Sequence, residues 1–280
     1  MIRLLSSMLA LFIIAQVLGI LTGTIIIRDL TENPYVSSMV VTTDGENPLN
    51  ALFFLGYILL GAGMMIFFIR RFKLFSYIFR LMEFSLVASA SSIVFYAFLR
   101  MFSGFDISTF AGVVIAIFFS AAKAVNPGLK NAAAILATAG VGVIFGISLG
   151  LVPLLIFLMM LSIYDFLSVF ATHHMVEMAN FIVKRDLAFT ITARAPPEKA
   201  GQREQRIDLG TGDMIAPIMM EISLLSYSPI ATLFVFFGAS ISLGAFLVLV
   251  WKKRMVLPAL PPIVLGMTTS LLIGFLIGAY

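Results

Sequence analysis

The sequence predicts an all-α polytopic membrane protein with nine transmembrane helices, its N-terminus cytoplasmic and its C-terminus outside. Three observations carry this. Of the 280 residues, 61% are hydrophobic and only 11% charged, with a mean hydropathy of +1.08, a balance foreign to soluble domains of this length. Apolar runs recur at 4–27, 49–69, 77–99, 106–124, 131–149, 151–171, 209–228, 229–250 and 257–279. With nine crossings, sixteen of the eighteen Lys and Arg residues fall on one side, leaving only Arg28 and Arg100 on the other. By the positive-inside rule the basic side is cytoplasmic, and adding or dropping a span in the middle would scramble the split.

Composition also excludes several classes of function. The formal charge of +4 resides in short loops between apolar runs, where it sets topology and not nucleic-acid binding. Without cysteine there is no disulfide, no thiol catalysis and no Cys-ligated zinc. The reading needs no cofactor. The expected location is a multi-pass position in a membrane.

The first run is longer than a signal-peptide core and lacks an A-x-A cleavage site, so it reads as a retained span. Gly19 and Gly23 within it are spaced for close helix packing, as are Gly140, Gly142, Gly146 and Gly150 in and after the fifth run. The 28–48 loop, with Asp29, Glu32, Asp44 and Glu46, reads as a solvated outer cap. Arg80 and Glu83 stand at i,i+3 spacing and are expected to pair. The 42 residues between Lys130 and His173 carry one charge, Asp165. They would extend roughly 63 Å as helix, enough for two crossings, with a turn near Gly150–Pro153. The same arithmetic divides 209–251 at Tyr227–Ser228–Pro229.

The cytoplasmic segment 172–208 divides further. Met175–Val183 has the pattern of an interfacial helix, Leu187–Ala193 that of a short strand, and Ala195–Arg206 that of a linker. His173, His174 and Glu177 fall short of a metal site, because two ligands on one turn do not close a coordination shell. The sixteen methionines read as lipid-facing or core filler. Residues 1–150 are expected to form a five-span scaffold bundle, and 151–280 a catalytic region of spans six to nine that includes the 172–208 loop.

The chemistry concentrates in two carboxylates. Residues 209–251 hold only Asp213 and Glu221 as charges, and Asp213 sits within Gly210–Thr211–Gly212–Asp213. A carboxylate in hydrocarbon is costly and marks a functional site by default. The two glycines permit close approach, water entry or non-helical backbone. Pro217 removes the i+4 donor for the carbonyl of residue 213. Asp165, preceded by Tyr164, is the other isolated carboxylate. Counted from the cytoplasmic ends of consecutive antiparallel spans, Asp165 and Asp213 lie about 12 Å and 8 Å deep. If they face each other they would share a proton, one acting as base on water and the other as acid toward a carbonyl. Glu221 lies about 12 Å deeper than Asp213 and reads as a buried polar contact.

Tyr164–Asp165, Gly210–Thr211–Gly212–Asp213 and Pro258–Ala259–Leu260, in this order on spans six, seven and nine, resemble the intramembrane aspartyl proteases of the presenilin and signal peptide peptidase family. The resemblance covers the whole nine-span architecture. It implies that Asp165 and Asp213 are the catalytic pair, supported by Tyr164, Gly210, Thr211 and Gly212. It also implies that Pro258, Ala259 and Leu260 shape the site and contact substrate. The segment before the second motif would lie beside unwound substrate as a strand, here Leu187–Ala193 and Arg206–Leu209. The N-terminus-inside orientation matches presenilin. Implied partners are transmembrane-helix protein substrates and the lipid bilayer, with no nucleic acid; a homo-oligomer stays open. The absence of accessory-subunit features points, by resemblance, to an archaeal homologue working without partners.

Two other readings compete. Prepilin-type peptidases share a GxGD aspartate, but usually have fewer spans and would leave Pro258–Ala259–Leu260 unexplained. An ion-coupled transporter or cation leak channel could use the same aspartates, but should show two matching halves. Here the unusual residues gather in span six and the last three spans.

Overall fold

The computed structural model describes residues 2–71, 75–172, 187–195, 205–253 and 258–280. The first helix, α1 (Ile2–Glu32), is followed by the single turn α2 (Pro34–Ser37), then α3 (Leu49–Arg71), α4 (Phe75–Arg100) and α5 (Phe105–Val125). A 3₁₀ turn at Pro127–Leu129 leads into α6 (Lys130–Ser148) and α7 (Leu151–Leu167), and α7 ends in a π turn at Ser168–Thr172. Strands β1 (Thr190–Ala195) and β2 (Gln205–Gly210) come next, then α8 (Thr211–Leu225), α9 (Pro229–Lys253) and α10 (Leu260–Leu276).

A helix stands at each expected apolar run, and both inferred turns are present, at 149–150 and 226–228. Among the described residues, six helices are long and apolar enough to cross a membrane. Leu49–Met65 and Leu260–Leu276 are shorter apolar helices. The seventh run is helical only over 15 residues, Thr211–Leu225; its first two residues close the strand Gln205–Gly210, which takes in the Arg206–Leu209 strand that the resemblance implies. The expected strand is present but begins at Thr190, three residues late. The interfacial helix at 175–183, the His173–His174–Glu177 cluster and most of the linker lie outside the described residues.

Helix α8 is the centre of the bundle. From Met214 to Leu224 all its residues but Ile215 are buried, and it packs on α1, α6, α7, α9 and α10. Two of its side chains explain the spaced glycines. A Cβ on Gly19 of α1 would come within 2.6 Å of Ile218, and one on Gly142 of α6 within 2.5 Å. A Cβ on Gly23 would come within 2.2 Å of Ile222, and one on Gly146 within 2.7 Å. Each isoleucine therefore fills a notch made by one glycine from α1 and one from α6. The four-residue spacing on all three helices keeps the notches in register. Gly140 makes an even closer crossing with α4, where a Cβ would sit 1.9 Å from the Ala90 carbonyl oxygen.

Polar expectations fared less evenly. Glu83 does not pair with Arg80. It is buried against α5, where it pairs with Lys123 and accepts the Ala188 N–H at 2.5 Å. Facing inward satisfies a carboxylate that an exposed i,i+3 partner would leave largely to water. Asp29 is not part of a solvated cap either. Helix α1 runs on past it, and its fully buried carboxylate accepts from Tyr96 and from Arg100 Nε at 2.8 Å. The loop beyond is pinned instead. Val41 N–H donates to Ser148 Oγ at 2.9 Å, Gly150 N–H to Gly45 O at 2.9 Å, and Tyr227 Oη to Glu46 at 2.7 Å. Glu221 is buried, and neither of its carboxyl oxygens has a hydrogen-bond partner among the described residues, so the expected polar contact is not made.

The Gly140 crossing gives a direct check. Gly140→Ala forces a methyl group into the Ala90 backbone, which cannot rotate away, and should cost about 1–3 kcal/mol of stability by overpacking. Thermal unfolding in detergent should show a lower Tm. Gly56→Ala on α3, where nothing lies within 4 Å of the new Cβ, should leave Tm unchanged or slightly higher. Equal Tm values for the two variants would contradict the packing described.

Candidate active site

Asp213 owes its position to the strand-to-helix change. Gly210 is the N-cap of α8, with extended backbone angles, so Asp213 is the third residue of the helix. From there a short carboxylate reaches back to the N-cap backbone N–H, as the acid of a capping box does. The Asp213 carboxylate accepts that Gly210 N–H, and a Cβ on Gly210 would stand 3.2 Å from Asp213 Oδ2. A larger residue there would crowd the acid. Thr211 anchors the junction, its N–H and Oγ both donating to Phe189 O at 3.1 Å.

Gly212 has a different reason to be small. Nothing lies within 4 Å of a Cβ built on it. It lines an apolar cavity of about 390 Å³ with Ile215, Ala216, Met219, Leu161 and residues of α3 and α6. Glycine here keeps the wall open beside the acid.

Asp165 lies on the last turn of α7 and is 3% exposed. Immediately after it the helix widens into the π turn, and Ser168 Oγ donates to Asp165 O at 3.1 Å. One-turn π segments inside helices concentrate at functional sites because they re-aim the side chains around them. Tyr164 precedes it, half-buried.

The partner of Asp165 comes from the start of α10. Ala259 is the N-cap, and Leu260 N–H donates to the Asp165 carboxylate. A helix start leaves its first N–H groups without intrahelical acceptors. Here Pro261 and Pro262 have no N–H, and Ile263 N–H is taken by Ala259 O at 3.3 Å. Of the first three helical residues, only Leu260 keeps an N–H, and it lies beside the acid. Pro258, Ala259 and Leu260 are all buried.

Asp165 and Asp213 stand on helices that pack together, α7 and α8, near enough for the charge of the first to act on the second. Asp165 Oδ2 is buried with no hydrogen-bond partner among the described residues, while Asp213 is half-buried. All nine residues singled out in the sequence therefore fall at the junction of α7, α8 and α10 or at the strand leading into it. The sequence reading missed the backbone groups, Leu260 N–H and Phe189 O. The Pro261–Pro262 pair was the available sign of the first. Among the described residues, no cluster of three or more His, Cys, Asp or Glu could hold a metal ion.

No curated protein sequence matches the chain. Among the solved structures that are similar are two of a presenilin family intramembrane aspartate protease. One, in the C222 space group, is 22% identical, covers 98% of this chain and 99% of its own, and superposes with a TM-score of 0.71. The other, in P2, is 20% identical and covers 94% and 96%, with a TM-score of 0.65. At such identity the likeness establishes the fold, which is presenilin-like. The sequence model of the signal-peptide peptidase, presenilin aspartyl protease family matches residues 9–280. The chain, a multi-pass membrane protein with several apolar helices, belongs to that family of intramembrane aspartyl proteases.

Proposed function

We propose that Asp165 and Asp213 carry the peptide hydrolysis in this chain. Behind this stand two carboxylates on the packed helices α7 and α8, near enough for the charge of Asp165 to act on Asp213, with Leu260 N–H beside one and Gly210 N–H beside the other. One acid, ionised, takes a proton from water as the water oxygen attacks the scissile carbonyl carbon. The other, protonated, donates to the carbonyl oxygen. In the collapse of the tetrahedral intermediate the C–N bond breaks, the amine leaves with the proton that the first acid had taken, and one hydroxyl returns its proton to the second acid as the carboxyl group forms. Tyr164, Gly210, Thr211 and Gly212 support the pair, and Pro258, Ala259 and Leu260 contact the substrate. A transporter or channel use of the same acids has no support beside a family match over residues 9–280.

The substrate class is a transmembrane helix. Its amides are shielded by their own hydrogen bonds, so a stretch must unwind before water can reach a carbonyl. An unwound stretch needs new partners, and a sheet edge supplies them. Strand β2 leads straight into Gly210. In the register of the pair, Ile191 faces Leu209 and Ala193 faces Ile207. Thr211 N–H bonds to Phe189 O. Because antiparallel pairs alternate in bonding, Arg206 and Asp208 turn their backbone N–H and C=O away from β1. That edge is where we place the substrate.

The same reading takes all nine apolar runs as crossings, with the N-terminus cytoplasmic and the C-terminus outside. Residues 1–150 then form the scaffold and 151–280 the catalytic region. It is supported by the lopsided basic residues and by a helix at each run. Helix α8 alone spans only about 22 Å, and the strand before it makes up the rest on the cytoplasmic side.

Asp165→Asn or Asp213→Asn, incubated in purified form with a model transmembrane peptide, should give no cleavage products while keeping the thermal unfolding of the wild type. Retained hydrolysis in either variant would remove the two-acid mechanism. The pH–rate profile should be bell-shaped, with apparent pKa values that belong to the coupled pair; a flat profile across strongly acidic to strongly basic pH would contradict it. Because both acids lie toward the cytoplasmic ends of their helices in this topology, product masses should place the first cut in the cytoplasmic third of the substrate span. A first cut in the outer half would overturn the depth assigned to them.

A further inference from the structure

Asn131 is the second residue of α6, where an amide side chain has no evident duty. Here it grips β1. Its Nδ2 donates to Thr192 O at 2.8 Å and its Oδ1 accepts Thr192 N–H at 2.9 Å. Thr192 faces Asp208 in the pair, at a position whose backbone groups point away from β2. The amide of Asn131 therefore stands where a third strand would bond, and it satisfies both groups of Thr192 as a neighbouring peptide would. This edge of the sheet is closed at its middle.

The contact is reinforced by charge. Lys130, buried beside Asn131, donates to Thr192 Oγ at 3.0 Å. Thr192 Oγ donates to Asp208 Oδ1 at 2.5 Å, and Arg206 forks onto Asp208 through Nε and Nη2 at 2.7–3.0 Å. The first two residues of α6 are thus tied to β1 directly, and to β2 through Thr192 and Asp208.

Helix α6 is also the helix that holds α8, through Gly142 against Ile218 and Gly146 against Ile222. From Asn131 to Gly142 is about 16 Å of rigid helix. The sheet and the acid-bearing helix are consequently measured from the same element, the sheet by Asn131 and α8 by the two glycines. Between them, Thr190 stands opposite Gly210, three residues before Asp213.

We propose that Asn131 is a positioning residue that selects which peptide bond of the substrate is cut. It does so by fixing the sheet on α6 and by leaving β2 as the edge open to the substrate. The proposal rests on the strand-addition reading given above. A substrate strand laid on β2 meets Asp213 at an offset set by that sheet. A shift of one residue along a strand is about 3.3 Å and turns every side chain to the other face, so small freedom in the sheet becomes a different scissile bond. Removing the clip frees the sheet against α8 and uncovers the Thr192 edge as a second place for an extended chain to add.

The test uses the full chain in lipid vesicles with one transmembrane peptide, and reads the masses of the earliest fragments. Wild type should give one dominant first cut. In Asn131→Ala, first cuts at bonds one or two residues away should rise about tenfold relative to the dominant one, the order expected for losing two hydrogen bonds from the preferred register. Asn131→Asp keeps the acceptor for Thr192 N–H but sets a carboxylate against Thr192 O. It should spread the cuts similarly and reads the same quantity if Asn131→Ala does not fold. A slower reaction with an unchanged fragment pattern in both variants would make Asn131 merely structural and overturn the proposal. Asp213→Ala run alongside should give no fragments; fragments from it would overturn the catalytic reading instead, a separate failure.

Discussion

The grip of four glycines on two isoleucines is the constraint on which the rest depends. Lipid tails are as apolar as leucine, so no hydrophobic gain brings helices together within a bilayer; shape and close contact must do it. Ile218 and Ile222 are buried to 1% or less, each seated between a glycine of α1 and a glycine of α6. Their dispersion contacts are individually small and collectively large. Because β-branched side chains are stiff about χ1 in a helix, the two knobs fix both rotation and height of α8. Asp213 stands five residues before Ile218 on that helix, so its direction is fixed as well.

Around the acids, ordinary helix geometry is suspended three times. Helix α7 widens into a π turn just after Asp165, α8 begins only at Thr211, and α10 begins at Leu260 behind a buried Pro258. Backbone of this kind inside a membrane is tolerable only where its polar groups find partners or line a cavity. Here they find the acids: the N–H of Gly210 meets one carboxylate and that of Leu260 the other. The unsatisfied ends of helices, a liability elsewhere, become the fittings of the site.

The two-stranded sheet is held by buried polar contacts on two sides. Glu83 and Lys123 meet at the Ala188 N–H, and Lys130 and Asn131 meet at Thr192. Buried ion pairs seldom add net stability, because desolvating both charges offsets most of their attraction. Their value is directional, since apolar contacts would let two short strands slide. At the other end of the bundle Asp29, Tyr96 and Arg100 join α1 to α4 in the same manner.

By itself the sequence determined where the helices lie and which carboxylates stand isolated among apolar residues. Hydropathy has a length scale set by the membrane, so helices appear at every apolar run and turns at both places where a long run had to divide. A charge in hydrocarbon is conspicuous without any structure, which is why Asp165 and Asp213 were legible, and the glycine spacings were legible as close packing for the same local reason. What faces what was decided by the tertiary structure. Nothing local told Glu83 to turn from Arg80 to Lys123, or drew Asp29 into the bundle, because those choices depend on helices brought alongside by folding. Strands near 187–193 and 206–209 were expected, but their register, with Thr190 opposite Gly210, and the start of α8 at Thr211 were settled only by the pairing itself. Leu260 became a donor to Asp165 only when the start of α10 was carried to the end of α7, since a backbone N–H has no side-chain signature and shows its use only once its acceptor is in place.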